Sequence, residues 1–325
     1  MQHRLITLDE IQEAQKRIAG VAVRTPLVKL DVPGLPYELF LKDETQQPTR
    51  SFKLRGAYNK VAQLTPEQLQ RGVITYSSGN HAQGVAYAAR SLGAKAVIVM
   101  PSTAPQVKRE ATAALGAEIV TVGPASRERM AKAAELAEEH GYTMVPPYDD
   151  EVVIAGQATC GLEIVEDMPD VGVVLSPVSG GGLLSGISSS VKLFARANGM
   201  AEPQVWGCEP ELAGDTKESF YSKKLVEWSA DDTTRTIADG LRTQSLGERN
   251  FAHVMAFTDG VVTVSEDEIY EAMRTILKHT SMVAEPSGAV TVAAALFHAK
   301  DLPAVSKVVA VVSGGNLDPS LRAKL

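Results

Sequence analysis

Val73-Ile74-Thr75-Tyr76-Ser77-Ser78-Gly79-Asn80-His81-Ala82-Gln83-Gly84 decides the fold. Its opening is short, β-branched and aromatic, the composition of a strand. Ser78-Gly79-Asn80 is a turn and helix-start signal. His81 to Leu92 then carries small and apolar residues at helical spacing, and Gly93 reads as the helix stop. A strand that passes through a turn into a helix is half of a βαβ unit.

The same alternation continues outward. Ala96 to Met100 reads as a strand closed by Pro101, Gln106 to Leu115 as a helix stopped by Gly116, and Glu118 to Val122 as a strand. Ser126 to His140 is a further helix, with Gly141 behind it. Later come strands at Val171 to Leu175, Val205 to Cys208 and Val308 to Val312, with a helix at Leu183 to Ala197. Glu266 to His279 is a helix whose cap is Ser265, with Glu268 at the capping-box position. Ser222 to Arg249 is polar and weakly periodic, so loops and short helices are expected there. The expected class is α/β, with mostly parallel open sheets flanked by helices.

The chain has 325 residues, enough for about two domains. It is 44% hydrophobic and 22% charged, which excludes a mainly disordered chain. The net charge of -7, with no basic tract, argues against nucleic acid as a partner. Cys160 and Cys208 are the only cysteines, too few for a disulfide framework or a thiolate zinc cluster. The N-terminus has no long apolar run, and the other apolar runs are strand-sized, so neither a signal peptide nor a membrane span is expected. The expected location is cytoplasmic.

In open α/β sheets, ligands bind beyond the carboxyl ends of the strands. Three segments stand there: Ser77 to Gly84, Pro177-Val178-Ser179-Gly180-Gly181-Gly182-Leu183, and Ser313-Gly314-Gly315-Asn316. Consecutive glycines before a helix let backbone N–H groups cup a phosphate, and the helix dipole favours its charge. The segment lacks the lysine-serine ending of a P-loop and the spacing of the dinucleotide fingerprint. A tightly packed glycine loop would look the same. Lys53, in Ser51-Phe52-Lys53-Leu54-Arg55-Gly56, either snorkels at a core edge or is a desolvated amine suited to Schiff-base chemistry. A phosphate cup with a Schiff-base lysine suggests pyridoxal phosphate (PLP).

Taken in order, Ser-Phe-Lys-x-Arg-Gly, Ser-Gly-Asn-His-x-Gln, Ser-Gly-Gly-Gly and Ser-Gly-Gly-Asn resemble the fold-type II PLP enzymes of the serine/threonine dehydratase and serine racemase family. The likeness runs from about Leu8 to Asp318, and the motifs are closest to those of 3-hydroxyaspartate dehydratase and serine racemase-like members. It implies a two-domain fold similar to the tryptophan synthase β chain. Residues 1–71 and 148–325 would form the large PLP-binding domain, and 72–147 a small domain that closes over substrate. It also implies a homodimer.

By the same resemblance, Lys53 holds the cofactor covalently and Phe52 lies against its ring. Asn80 bonds the ring hydroxyl, and Ser179, Gly180, Gly181, Gly182 and Leu183 surround the phosphate. Ser313 faces the pyridine nitrogen. A serine hydroxyl does not keep that nitrogen protonated, so the electron sink is weaker and loss of a β-leaving group competes well with transamination. Ser77, Ser78, Gly79, Asn80 and His81 would bind the substrate carboxylate, and Thr243 would contact substrate. Ser78 would be a second proton acceptor opposite Lys53, unless it is only a turn serine capping the next helix.

The resemblance further implies that Arg127 grips the distal carboxylate of 3-hydroxyaspartate; a surface arginine beside Glu128 is the alternative. Glu209, the Ala213 carbonyl and Asp215 would hold a divalent cation (magnesium, manganese or calcium) unless they form a plain acidic loop. Tyr148 stands where serine racemases have asparagine, which favours a dehydratase. No regulatory region of the biosynthetic threonine deaminase kind is expected after Leu325. The implied reaction is loss of water from a 3-hydroxy amino acid, 3-hydroxyaspartate first, yielding a 2-oxo acid and ammonia. The alternatives are L-threonine or L-serine dehydration, or a serine or aspartate racemase with side elimination.

Overall fold

The computed structural model describes residues 3–77, 79–104, 106–123 and 126–325. Ten strands occur among them: β1 Leu27–Leu30, β2 Glu38–Asp43, β3 Val73–Tyr76, β4 Ala96–Pro101, β5 Glu118–Val122, β6 Thr143–Met144, β7 Val173–Pro177, β8 Gln204–Pro210, β9 Gly260–Val264 and β10 Lys307–Val312. They form two sheets. The larger has the order β1-β2-β10-β7-β8-β9, and the smaller β5-β4-β3-β6. Every pairing is parallel except β1 with β2.

Parallel strands need crossover helices, which bury both sheet faces. The central strands obey this. Val308 to Val312 and Val173 to Leu175 are buried throughout. The larger sheet has a core on each side, one with Leu39, Leu175 and Val290, the other with Ile154, Val174 and Leu184. The smaller sheet has its own, around Val73, Ile98 and Val85.

Local signals act where the sequence places them. Gly93, Gly116 and Gly141 have φ of +69°, +87° and +69°, the left-handed values that let a helix stop. Ser265 and Glu268 form the expected capping box for Glu266–His279. One helix ties the sheets together. Lys53–Val61 lies between Asn80–Ser91, from the smaller unit, and Glu151–Asp167, from the larger. At these crossings glycines let the backbones approach closely. A Cβ on Gly84 would stand 3.1 Å from the Lys53 carbonyl carbon, and one on Gly156 2.6 Å from Gly56 Cα. A second tie is an ion pair between Lys108, on Gln106–Ala114, and Asp239, in the larger unit.

Candidate active site

The segment carrying Lys53 is clipped to the end of β10. Phe52 N–H donates to the Ser313 carbonyl at 3.0 Å, and Gly315 N–H to the Arg50 carbonyl at 2.9 Å. Lys53 opens its helix, and its Nζ donates to the Pro147 carbonyl at 2.7 Å. The amine lies 5.2 Å from the Phe52 ring centroid. Burial lowers its pKa from 10.5 to about 8. Its neutral fraction at about pH 8 is therefore on the order of a hundred times that of an ordinary lysine, the state a carbonyl-trapping amine needs.

Pro147 leads directly into Tyr148, and Tyr148 packs on the glycine loop. A Cβ on Gly180 would lie 2.4 Å from the tyrosine ring, and one on Gly182 3.0 Å from its Cβ. Gly181 has φ +95° and no side chain caps the helix Gly182–Ala197. The first N–H groups of this long helix thus lack side-chain partners, the arrangement that binds phosphate. Ser179 Oγ lies 2.8 Å from Thr243 Oγ1, which brings Thr243 to this loop. Leu183 is buried just inside the helix.

A second uncapped helix start faces the same region. Asn80–Ser91 begins after Gly79 with no side-chain cap, and Gly79 N–H donates to Ser77 Oγ at 3.3 Å. Asn80 Nδ2 donates to Glu285 Oε1 at 2.5 Å, and Asn316 Nδ2 donates to Asn80 Oδ1 at 2.7 Å. Glu285 N–H in turn donates to the Gly314 carbonyl. Burial, with the charge of Asp239, raises the Glu285 carboxyl to about 7. His81 is buried against the Val145 carbonyl at 2.9 Å, and burial lowers its pKa to about 3, so the ring stays neutral.

The four glycine- and lysine-bearing motifs therefore meet, although they span Ser51 to Asn316. Their chemistry fits PLP: an anion cup, a desolvated amine and a ring-flanking phenylalanine. Ser78 lies outside the described residues. Arg127 is exposed, whereas Arg129, two positions on, is half-buried and within electrostatic reach of Tyr76 at the end of β3. Two helical residues so spaced point about 200° apart, so the helix turns Arg129 inward and Arg127 out. Arg129, Glu285 and Asn316 had no role assigned from sequence. The one signal at Glu285 was its place before Pro286, a helix-start pattern.

The sequence matches the family model for pyridoxal-phosphate dependent enzymes over residues 18–314. The chain belongs to that family. It is 42% identical to the L-threonine dehydratase catabolic TdcB of Staphylococcus aureus (strain USA300), over 97% of this chain and 90% of the relative. The T.th. threonine deaminase superposes with a TM-score of 0.89 at 42% identity, covering 96% of this chain and 99% of that one. A pyridoxal 5'-phosphate-dependent aspartate racemase superposes at 0.88 and 33% identity, covering 98% of each. The chain is thus a PLP-dependent enzyme of the serine/threonine dehydratase group, and its relatives support ammonia-lyase chemistry.

The expected cation site lies at the end of β8, beside the strand that leads into the glycine loop: Val178 N–H donates to the Cys208 carbonyl at 2.9 Å, one residue before Glu209. Glu209 accepts from Lys217 N–H at 2.7 Å and Thr216 N–H at 3.2 Å. Burial and then the charge of Asp215 push the Glu209 carboxyl well above its ordinary range; burial raises Asp215 to about 7. Asp215 Oδ2 is buried and has no hydrogen-bond partner among the described residues. Two buried carboxylates with an unpartnered oxygen fit a hard cation. Among the described residues, no three His, Cys, Asp or Glu side chains converge as a metal cluster, so the Ala213 carbonyl and water would complete the set. No helix among the described residues is long and apolar enough to cross a membrane.

Proposed function

We propose that this enzyme removes water from a 3-hydroxy amino acid and prefers 3-hydroxyaspartate, giving a 2-oxo acid and ammonia. The observation that carries the substrate choice is the half-buried Arg129 beside Tyr76. A guanidinium there suits a second carboxylate and suits the methyl group of threonine poorly. In this reading Arg129, rather than Arg127, grips the distal carboxylate.

PLP, when bound, supplies the electron sink that makes the substrate α-proton removable. Lys53 would hold it, with Phe52 beside the ring, Asn80 at the ring hydroxyl and Ser313 at the ring nitrogen. Ser179, Gly180, Gly181, Gly182 and Leu183 grip the phosphate. The loop Ser77 to His81 orients the substrate carboxylate at the start of its helix. The Lys53 amine takes the α-proton on one face, and Ser78 serves the other. The β-hydroxyl, protonated as it departs, would leave as water; the enamine so formed takes a proton to become its imine, and water then hydrolyses the imine to the 2-oxo acid and ammonia. Thr243, hydrogen-bonded to Ser179, sits beside the phosphate grip. Residues 72–147 close over the substrate, with the Lys108–Asp239 pair as a tie, and exclude water. Glu209, the Ala213 carbonyl and Asp215 hold magnesium, and the working state is a homodimer.

The identity to threonine dehydratases favours a second reading, dehydration of L-threonine or L-serine. A panel of both serines, both threonines and the four 3-hydroxyaspartates separates the two, with 2-oxo acid and ammonia release followed in magnesium and in chelator. Preference for one hydroxyaspartate, weakened by chelation, supports the first reading. Preference for threonine or serine, indifferent to chelation, overturns it. Optical inversion without 2-oxo acid would point to a racemase.

A further inference from the structure

Helix Lys53–Val61 begins without the usual devices. Its N-cap is Phe52, which makes no side-chain cap bond, and its first turn has no acidic residue. The residue two positions after Lys53 is instead anchored from both sides. Arg55 is fully buried. Its Nε and Nη2 reach the two Glu44 oxygens at 2.8 Å each. Its Nη1 and Nη2 reach the two Glu163 oxygens at 2.7 and 2.9 Å. Thr159 Oγ1 accepts the remaining Nη1 hydrogen at 3.1 Å, and the Val23 carbonyl shares Nη2 at 3.2 Å. Lys42 Nζ joins Glu163 at 2.7 Å, so two cations meet two carboxylates and the buried charge balances.

We propose that Arg55 is a positioning residue for Lys53: its guanidinium, forked between Glu44 and Glu163, fixes the first turn of this helix and thereby the place from which the lysine amine works. The inference rests on the reading that Lys53 holds the cofactor. Glu44 follows β2 and Glu163 lies on Glu151–Asp167, so both anchors belong to the larger unit. Helix Asn80–Ser91 of the smaller unit presses on the Lys53 backbone at Gly84. Closure of the smaller unit would push the lysine, and the Arg55 forks resist that push. A buried ion cluster adds little net stability over a well-packed apolar one, but bidentate pairs tolerate few alternative geometries. Lysine in place of Arg55 keeps the charge and loses both forks.

The test uses holoenzymes of Arg55→Lys and of the charge-balanced pair Arg55→Met with Glu44→Gln. Thermal midpoint, kcat, KM and the pH midpoint of the cofactor's visible band are measured for each. A fall in kcat of about tenfold to a hundredfold is expected, with KM within about threefold of the parent. The band's pH midpoint should move in the same variants, including one whose thermal midpoint matches the parent. Thermal loss with kcat and the band unmoved would overturn the proposal and leave Arg55 a structural residue. If the balanced pair fails to fold, Arg55→Lys gives the same readings. Borohydride labelling of the parent tells the two claims apart: no label on Lys53 removes the underlying reading, while a labelled parent with unmoved variants removes only the positioning role.

Discussion

Asn80 Nδ2 lies 2.5 Å from Glu285 Oε1, which joins the first helix after β3 to the start of the helix Pro286–Phe297. The contact puts a buried carboxyl whose pKa is about 7 against the side chain assigned to the cofactor's ring hydroxyl. Folding raises this pKa from 4.5. Between those values the unfolded chain binds fewer protons, so Glu285 costs stability as pH rises from about 4.5 to about 7. Glu285→Gln keeps an acceptor for Asn80 and removes the charge. Relative to the parent, it should gain about 1–3 kcal/mol between pH 5 and pH 8 in chemical unfolding of the cofactor-free chain. A constant difference across that range would refute the assignment.

The Glu209–Asp215 pair behaves in the same sense, because burial raises both carboxyls. Without a cation Asp215 costs stability as pH rises from its ordinary value of 3.8 toward about 7, and Glu209 acts in the same direction. Magnesium at a hundred times its Kd should stabilise the chain by about 2.7 kcal/mol, and by less at pH 5, where the carboxyls are protonated. Glu209→Gln should abolish the magnesium effect in thermal unfolding. Magnesium stabilisation that survives this substitution would place the cation elsewhere.

Arg129 and Arg127 differ in what their helix turns toward the site. Arg129→Met should lose about 2–4 kcal/mol of kcat/KM for 3-hydroxyaspartate, roughly thirtyfold to a thousandfold, and change serine turnover far less. Arg127→Met should stay within about twofold for both, as exposed substitutions do. Reversed effects would restore Arg127.

The ion pair between Lys108 and Asp239 spans the two units. Asp239 is part-exposed, so the pair is salt-screened and modest. Asp239→Asn and Lys108→Met should each raise KM about threefold, with non-additive effects in the double variant and smaller effects in high salt. Strict additivity would show that the pair does not couple the units.

Much of the scaffold was legible because its signals are local. Glu118–Val122, Ser126–His140 and Glu266–His279 lie where turn glycines, β-branched runs and the Ser265–Glu268 box put them. The helix Pro286–Phe297 was not: it is buried from Pro286 to Ala295, so no polar stripe marks its period. β1, a short edge strand, and β2, beside it, carry Lys29, Glu38, Lys42 and Asp43, and lack a clean apolar run. The four motifs were readable as patterns, but the partners between them were not. Asn80 and Glu285 are 205 positions apart, and Arg55 and Glu163 are 108. The sequence does not distinguish Arg127 from Arg129, because Ser126–His140 buries little besides Ala133 and so does not set which way it faces.

Lys53 is the residue proposed to hold PLP. Borohydride reduction of the holoenzyme, followed by peptide mapping, tests this most directly. The predicted result is one phosphopyridoxyl group, on Lys53, with 2-oxo acid release from every 3-hydroxy amino acid abolished in Lys53→Ala. A label on another lysine, or turnover that survives Lys53→Ala, would contradict it.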